Sequence, residues 1–289
     1  MTLLGKSKVI SVNSLSTSGR KLPTFELMFF LGEEVIVFSV ENLVGKSIPP
    51  SELRGFVEDI TIDGISYVDP GNYLRLGELV VKVKSVGVDS VPVSSKRGEI
   101  VRQQGLWCEV KKDGRVKVGD MVYVMRPISV GVIVASDKGS KGEREDISGR
   151  VIEEKIIEIG GEVKHYFIVP DEIDVISKKI KELASLGCDL VLTSGGTGWS
   201  KRDVTPEATI RVIEKEIPGL AEIMRIEGYK RTPFSVLSRA VAGIVGETVV
   251  INLPGSPKGV RESLELLMPV LLHGIGVLKG WDRECGKIK

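Results

Sequence analysis

The chain has 289 residues, enough for two domains, and 42% of them are hydrophobic, enough for sizeable cores. Its 40 Lys and Arg against 39 Asp and Glu leave a net charge of +1, which argues against a generally basic, nucleic-acid-binding surface. No apolar run reaches the length of a membrane span and the N-terminus lacks a signal peptide's apolar core, so a cytoplasmic protein is expected.

Residues up to about 125 are rich in Val, Ile and Gly in short alternating runs, which predicts a small β-barrel or closed sheet. Strands are expected over 8–12, 34–39, 80–85 and 116–124, with turns at Gly71-Asn72, Lys112-Asp113-Gly114 and Gly119-Asp120. Arg126-Pro127 marks a boundary, giving domains 1–127 and 128–289. The pattern then alternates. A strand over 128–135 precedes a helix over 146–159 that ends at Gly160-Gly161. A strand over 162–169 precedes a helix over 172–186 that stops at Gly187. A buried strand from Leu190 to Thr193 runs into a glycine turn, and two helical pieces follow, separated by Pro218-Gly219. The last strand, 247–253, leads through Pro254-Gly255-Ser256-Pro257 into a long amphipathic helix towards Leu278. Such alternation predicts an α/β three-layer sandwich on a mostly parallel sheet, with ligand sites at the C-terminal ends of its strands.

Four strand ends carry the candidate chemistry. Ser136-Asp137 and the 146–149 stretch follow the first strand, and Asp171 follows the second. Ser194-Gly195-Gly196-Thr197-Gly198 with Asp203 follows the third, and Asn252, Pro254, Gly255 and Ser256 belong to the last. Glycines in the turn let a ligand approach backbone N–H groups, and Thr205 suits an N-cap with Pro206 at the first helical position. Donors for phosphate oxygens beside carboxylates able to hold Mg²⁺ suit phosphoryl or nucleotidyl transfer. It is not a Walker A loop, because Val40 stands where Gly45-Lys46-Ser47 would need its first glycine. Plainer roles stand beside each reading. Asp171 also suits capping of the helix near Glu172, Asp203 bridging in a surface loop, and Ser256 an N-cap. Trp199 suits loop packing, and Lys201-Arg202 a solvated face, although cations flanking a phosphate site are also expected. Cys108, Cys188 and Cys285 are scattered, and neither His165 nor His273 sits in a catalytic or zinc motif.

The string Gly195-Gly196-Thr197-Gly198 followed by Arg202-Asp203-Val204-Thr205-Pro206 closely resembles the signature of the molybdopterin adenylyltransferase family. Val134-Ala135-Ser136-Asp137, Val169-Pro170-Asp171, Leu237-Ser238-Arg239 and Asn252-Leu253-Pro254-Gly255-Ser256-Pro257 follow in that family's order. The resemblance covers about residues 128–280. It implies transfer of AMP from Mg-ATP to the terminal phosphate of molybdopterin, with release of pyrophosphate. It implies Asp171 and Asp203 as the acids tied to turnover, Asp203 as a Mg²⁺ ligand, and Gly195 to Gly198 as the anion-binding turn. Ser136, Asp137, Thr193, Ser194, Asn252, Pro254, Gly255 and Ser256 then fall on the substrate or nucleotide side, and Ser238 on the pterin side. It also implies a homotrimer through the C-terminal domain and a transient encounter with a molybdenum-insertion protein. The runner-up is a carrier of the same fold that binds molybdopterin without adenylylating it. The related molybdate-insertion and nicotinamide-nucleotide-processing branches usually have different glycine turns.

In the first domain, Phe56 to Ile65, Leu74-Arg75-Leu76-Gly77-Glu78, Gly105 to Val110 and Gly114 to Asp120 are similar, in order and spacing, to the MOSC domain of molybdenum cofactor sulfurases. Two departures stand out. The segment from Pro23 through Phe29-Phe30-Leu31-Gly32 has no Gly-Asp-x-His element, and Ser90-Val91 stands where that family has Cys, often followed by His. A hydroxyl carries no persulfide, so a MOSC-like barrel without its sulfur-handling site is expected, with Cys108 as a packing residue.

Overall fold

The computed structural model describes residues 68–89 and 104–281 continuously, together with segments 3–15, 21–24, 26–29, 34–39, 60–63, 93–94 and 100–101. Ser90, Val91 and the 30–33 segment lie outside the described residues. Two compact units are present, one over Leu3–Pro127 and the other from Ile128 onward.

The first unit is built from β1 (Leu3–Leu15), β2 (Lys21–Thr24), β3 (Glu26–Phe29), β4 (Glu34–Ser39), β5 (Ile60–Asp63) and β6 (Tyr73–Leu76). It continues with β7 (Leu79–Asp89), β8 (Val93–Ser94), β9 (Ile100–Val101), β10 (Gln104–Lys112), β11 (Gly114–Lys117) and β12 (Met121–Met125). The main sheet runs β12-β6-β7-β10-β4-β5-β1-β2, and β12 also pairs with β1, so the ring of strands closes. All its pairs are antiparallel except β4–β5. The stretch expected as one strand over 116–124 is two. Asp120 breaks it, its carboxylate accepting the Lys117 N–H at 2.8 Å to close a turn around Gly119. Leu74, Leu76, Val81, Val83, Leu106, Cys108, Val110 and Val124 alternate inward and form one core.

The second unit is a three-layer sandwich. Its sheet runs β14 (Gly161–Val169), β13 (Ile128–Ala135), β15 (Leu190–Ser194), β18 (Thr248–Leu253), β17 (Ala242–Val245), β16 (Lys215–Glu216). The first four strands are parallel, and β17 alone is reversed, pairing antiparallel with β18 on one side and with β16 on the other. The hairpin strand β17 and the edge strand β16 escape sequence reading because each is so short. Along β13 the side chains alternate. Ile128, Val130, Val132 and Val134 meet α2 (Ile147–Ile157), α5 (Pro218–Tyr229) and α6 (Pro257–Leu278). Ile133 and Ala135 face the core under α3 (Ile173–Ser185) and α4 (Thr205–Ile210). A single turn, α1 (Asp137–Ser140), follows β13.

The predicted punctuation holds at most helix ends. Asp146 caps α2 by accepting the Gly149 N–H at 3.0 Å, and Ser256 caps α6 by accepting the Gly259 N–H at 3.1 Å, with Pro257 leading the helix. Gly160 and Gly187 take positive φ after α2 and α3. Two expectations need correction. Thr205 is the first residue of α4 rather than its cap, because its N–H is drawn to the Gly196 carbonyl at 3.1 Å. Pro218-Gly219 opens α5 instead of separating two helices. Among the described residues no helix is long and apolar enough to cross a membrane.

Candidate active site

The chain leaves β13 for β14 on one side and later enters β15 on the other. The crevice at the C-terminal ends of β13 and β15 is therefore the switch point where open α/β sheets bind ligands. A cleft of about 480 Å³ opens there. From the candidate residues it is lined by Ser136, Asp171, Ser194, Gly195, Gly196, Asp203, Gly255 and Ser256. A second cleft, about 320 Å³, takes Thr197, Gly198, Ser238, Pro254 and, again, Ser256. The glycine turn therefore has one half on each cleft.

The turn is possible only for glycine. Gly195 and Gly196 have φ of 94° and 64°, and a Cβ on Gly195 would stand 2.5 Å from the Ala135 carbonyl oxygen. Gly255 packs on Gly195 from the β18 side, and the hydroxyls of Ser148 and Ser194 donate to the Gly255 and Pro254 carbonyls at 2.9 and 3.0 Å. These bonds tie the β15 and β18 loops to each other and to α2.

The carboxylates are organised by Asp137. Its Oδ1 accepts the Asp171 N–H at 3.1 Å, while Asp171 Oδ2 accepts the Asp137 N–H at 3.0 Å. The same Asp137 carboxylate takes Arg202 in a fork, Nε at 2.9 Å and Nη2 at 2.7 Å. That guanidinium holds the Asp137 carboxyl below the usual carboxylate range. Burial pushes the Asp171 carboxyl up, against the Asp137 N–H, and the neighbouring Asp137 and Asp203 charges push the same way. Asp171 does not cap α3, whose N-cap Glu172 has no side-chain capping bond. Asp203 both bridges its loop, accepting the Ser200 N–H at 2.8 Å, and faces the larger cleft.

Three candidates are corrected. Asp137 does not line either cleft, since its oxygens are engaged by Arg202 and Asp171. Thr193 and Asn252 are fully buried. Asn252 donates to the hydroxyls of Thr193 and Thr209 at 2.9 and 2.8 Å and accepts the Val241 N–H at 3.2 Å, so its side chain is committed to joining β15, α4 and β17. Trp199 does not pack in its loop but is 73% exposed. The short α4, under two turns long, adds little dipole to the site.

Sequence reading missed Arg239. Its Nε donates to the Gly198 carbonyl at 2.7 Å, its Nη2 to the Asp203 carbonyl at 2.6 Å, and it forms an ion pair with Glu207. One side chain thus pins both ends of the 198–203 loop. It lay inside a quoted motif, but partners about forty residues away leave no local signal. Arg144, Glu145, Asp146 and Ser148 also line the larger cleft.

Comparison with known proteins agrees with this geometry. The family model of a probable molybdopterin binding domain matches residues 131–273. A molybdopterin adenylyltransferase of Helicobacter pylori strain J99 is 45% identical over 159 residues, covering 54% of this chain and 90% of that protein. One from Pyrococcus furiosus is 40% identical over 148 residues, 50% of this chain and 86% of that protein. The crystal structure of the molybdopterin biosynthesis enzyme MoaB from Thermus thermophilus is 49% identical, with a TM-score of 0.51, over 53% of this chain and 97% of that one. Through its second unit, the chain belongs to the molybdopterin adenylyltransferase family.

Proposed function

We propose that this protein acts in molybdenum cofactor biosynthesis, transferring AMP from ATP to the terminal phosphate of molybdopterin. The observation that carries the reading is the glycine turn shared between two clefts that meet at Ser256. The larger, carboxylate-lined cleft takes the nucleotide, and the smaller takes the pterin beside Ser238. The two phosphates then meet over Gly195 to Gly198. An oxygen of the molybdopterin phosphate forms the new bond to the α-phosphorus as the bond to the β-phosphate oxygen breaks, and pyrophosphate leaves. That oxygen is already anionic, so no strong general base is required, in keeping with the absence of histidine from the cleft linings.

Among the described residues no group of three or more His, Cys, Asp or Glu side chains is placed to hold a metal by itself. Asp171 and Asp203 do supply two carboxylates on the nucleotide cleft. This fits Mg²⁺, which is bound through one or two carboxylates plus substrate phosphates and water. When bound, the ion neutralises charge on the phosphate oxygens. The chain's own residues do the rest. Asp171 and Asp203 would hold the ion, the backbone N–H groups from Gly196 to Gly198 would donate to phosphate oxygens, and Arg239 keeps Gly198 and Asp203 in register.

The protein is further proposed to be a cytoplasmic homotrimer through this unit that hands its product to a molybdenum-insertion protein. The exposed apolar residues of α5, Ile223, Ile226 and Tyr229, recur every third position and would suit contact between copies. The first unit is proposed as a MOSC-like barrel that has lost sulfur transfer and offers a weak binding surface for a molybdenum-pterin species. Its closed, mostly antiparallel sheet supports that reading. Incubation of the full chain with Mg-ATP and molybdopterin tests the activity. Stoichiometric pyrophosphate and adenylylated molybdopterin are expected, whereas binding of molybdopterin without pyrophosphate would make the protein a carrier.

A further inference from the structure

Thr205 is fully buried, yet its hydroxyl has no hydrogen-bond partner among the described residues. Such a group costs stability, and native proteins seldom keep one without a use. Its backbone is fixed on both sides. The N–H donates to the Gly196 carbonyl at 3.1 Å, and the carbonyl accepts the Thr209 hydroxyl at 2.9 Å. The hydroxyl is therefore held in place.

What it faces is specific. A Cβ on Gly196 would stand 2.3 Å from Thr205 Oγ1 and 3.1 Å from Asp171 Oδ1. Both oxygens flank the one spot that the glycine leaves clear. Asp171 Oδ2 already accepts the Asp137 N–H, whereas Oδ1 accepts no hydrogen bond among the described residues. Thr205 does not line either cleft, so its reach is to the carboxylate and not to a substrate.

We infer that Thr205 is a positioning residue for Asp171, its hydroxyl donating to Asp171 Oδ1 as the carboxylate turns across Gly196 in the loaded site. The inference rests on the adenylylation reading, in which Asp171 acts at the nucleotide cleft. The missing side chain of Gly196 then has a second purpose beyond the turn, since any Cβ there would block the approach. The bond is made as the transferring group reaches its transition state and not in the ground-state complex, so it raises turnover without tightening substrate binding.

The test compares full-length wild type with Thr205→Val and Thr205→Ser. Valine keeps the shape and removes the hydroxyl. Without ligands, Thr205→Val is expected to melt at or above wild type, because an unpartnered hydroxyl has been replaced by a methyl group. With Mg-ATP and molybdopterin its kcat is expected to fall by about 10- to 100-fold, the range for a hydrogen bond to a charged group. KM for both substrates should stay within roughly twofold, and Thr205→Ser should restore kcat. A lower melting temperature for Thr205→Val would mean that the hydroxyl is already bonded in the free protein, and would overturn the inference. Unchanged kcat would overturn it equally. Wild type that released no pyrophosphate would instead sink the adenylylation reading, leaving the ligand-free melting comparison to decide the role of Thr205.

Discussion

Asp203 and Asn252 sit in adjacent motifs and face opposite ways. Asp203 reaches the larger cleft, proposed to take the nucleotide, so Asp203→Ala should leave the fold intact and lower AMP transfer by about 10²–10³, the usual scale for losing charge stabilisation at a transferring group. Near-wild-type turnover at saturating Mg-ATP would remove it from the mechanism. Asn252 is spent internally on Thr193, Thr209 and Val241. Its replacement by Ala strands those partners and should cost about 1–3 kcal/mol of stability, read as a lower denaturation midpoint. The folded fraction should keep its KM for ATP and molybdopterin, and a raised KM with an unchanged midpoint would return Asn252 to the ligand side. Both residues were legible as members of a site motif. Which one meets the ligand was not, because that depends on the face each side chain takes at its strand end.

At the scale of elements, the loops after β13, β14 and β15 converge because three parallel strands end together. Asp137 and Arg202 then fasten them. The fork between these two is half exposed at Asp137 and more so at Arg202, so its contribution to stability is small. Its consequence is geometric. Arg202 directly precedes Asp203, and Asp137 exchanges hydrogen bonds with Asp171, so the pair fixes the Asp171 loop against the Asp203 loop. Arg202→Met should therefore leave thermal stability nearly unchanged while lowering kcat by roughly tenfold, since small misplacements of catalytic groups are costly. Arg202→Lys, which cannot form the fork, should recover only part of the loss, and full activity in both variants would show that the loops are held without it. The elements themselves were readable wherever local chemistry set them: Ser256 as a cap, Gly160 and Gly187 as stops, the buried apolar run of β13. The mixed sheet was not readable. Strands of two and four residues, β16 and β17, are defined by pairing, β17 with β18 and β16 with β17, and not by any pattern of their own. Arg202 and Arg239 were likewise opaque, because their roles rest on partners distant in the chain, 65 residues away for Arg202 and 36 and 41 for Arg239.

At the scale of the whole molecule, the second unit has its own cores on both sheet faces and carries every candidate catalytic residue. A fragment of residues 128–289 should fold and adenylylate molybdopterin alone. An inactive fragment beside an active full chain would show that the first unit completes the site or the assembly. The first unit poses the converse question, whether any sulfur chemistry survives there. Among its described residues the cysteine to consider is Cys108, on β10. It is fully buried, its Sγ lies 3.6 Å from the Leu106 carbonyl oxygen, and burial raises its pKa far above that of an ordinary thiol. Thiolate, not thiol, accepts sulfur, and a raised pKa keeps Cys108 protonated at every pH below it, hence throughout the neutral range. Full-length protein incubated with a cysteine desulfurase and cysteine should accordingly gain no sulfur on Cys108 by mass spectrometry. An alkylating reagent should label that residue only after denaturation. A stable gain of one sulfur atom in the folded chain would make Cys108 a sulfur carrier and overturn the proposal that the first unit carries no sulfur transfer.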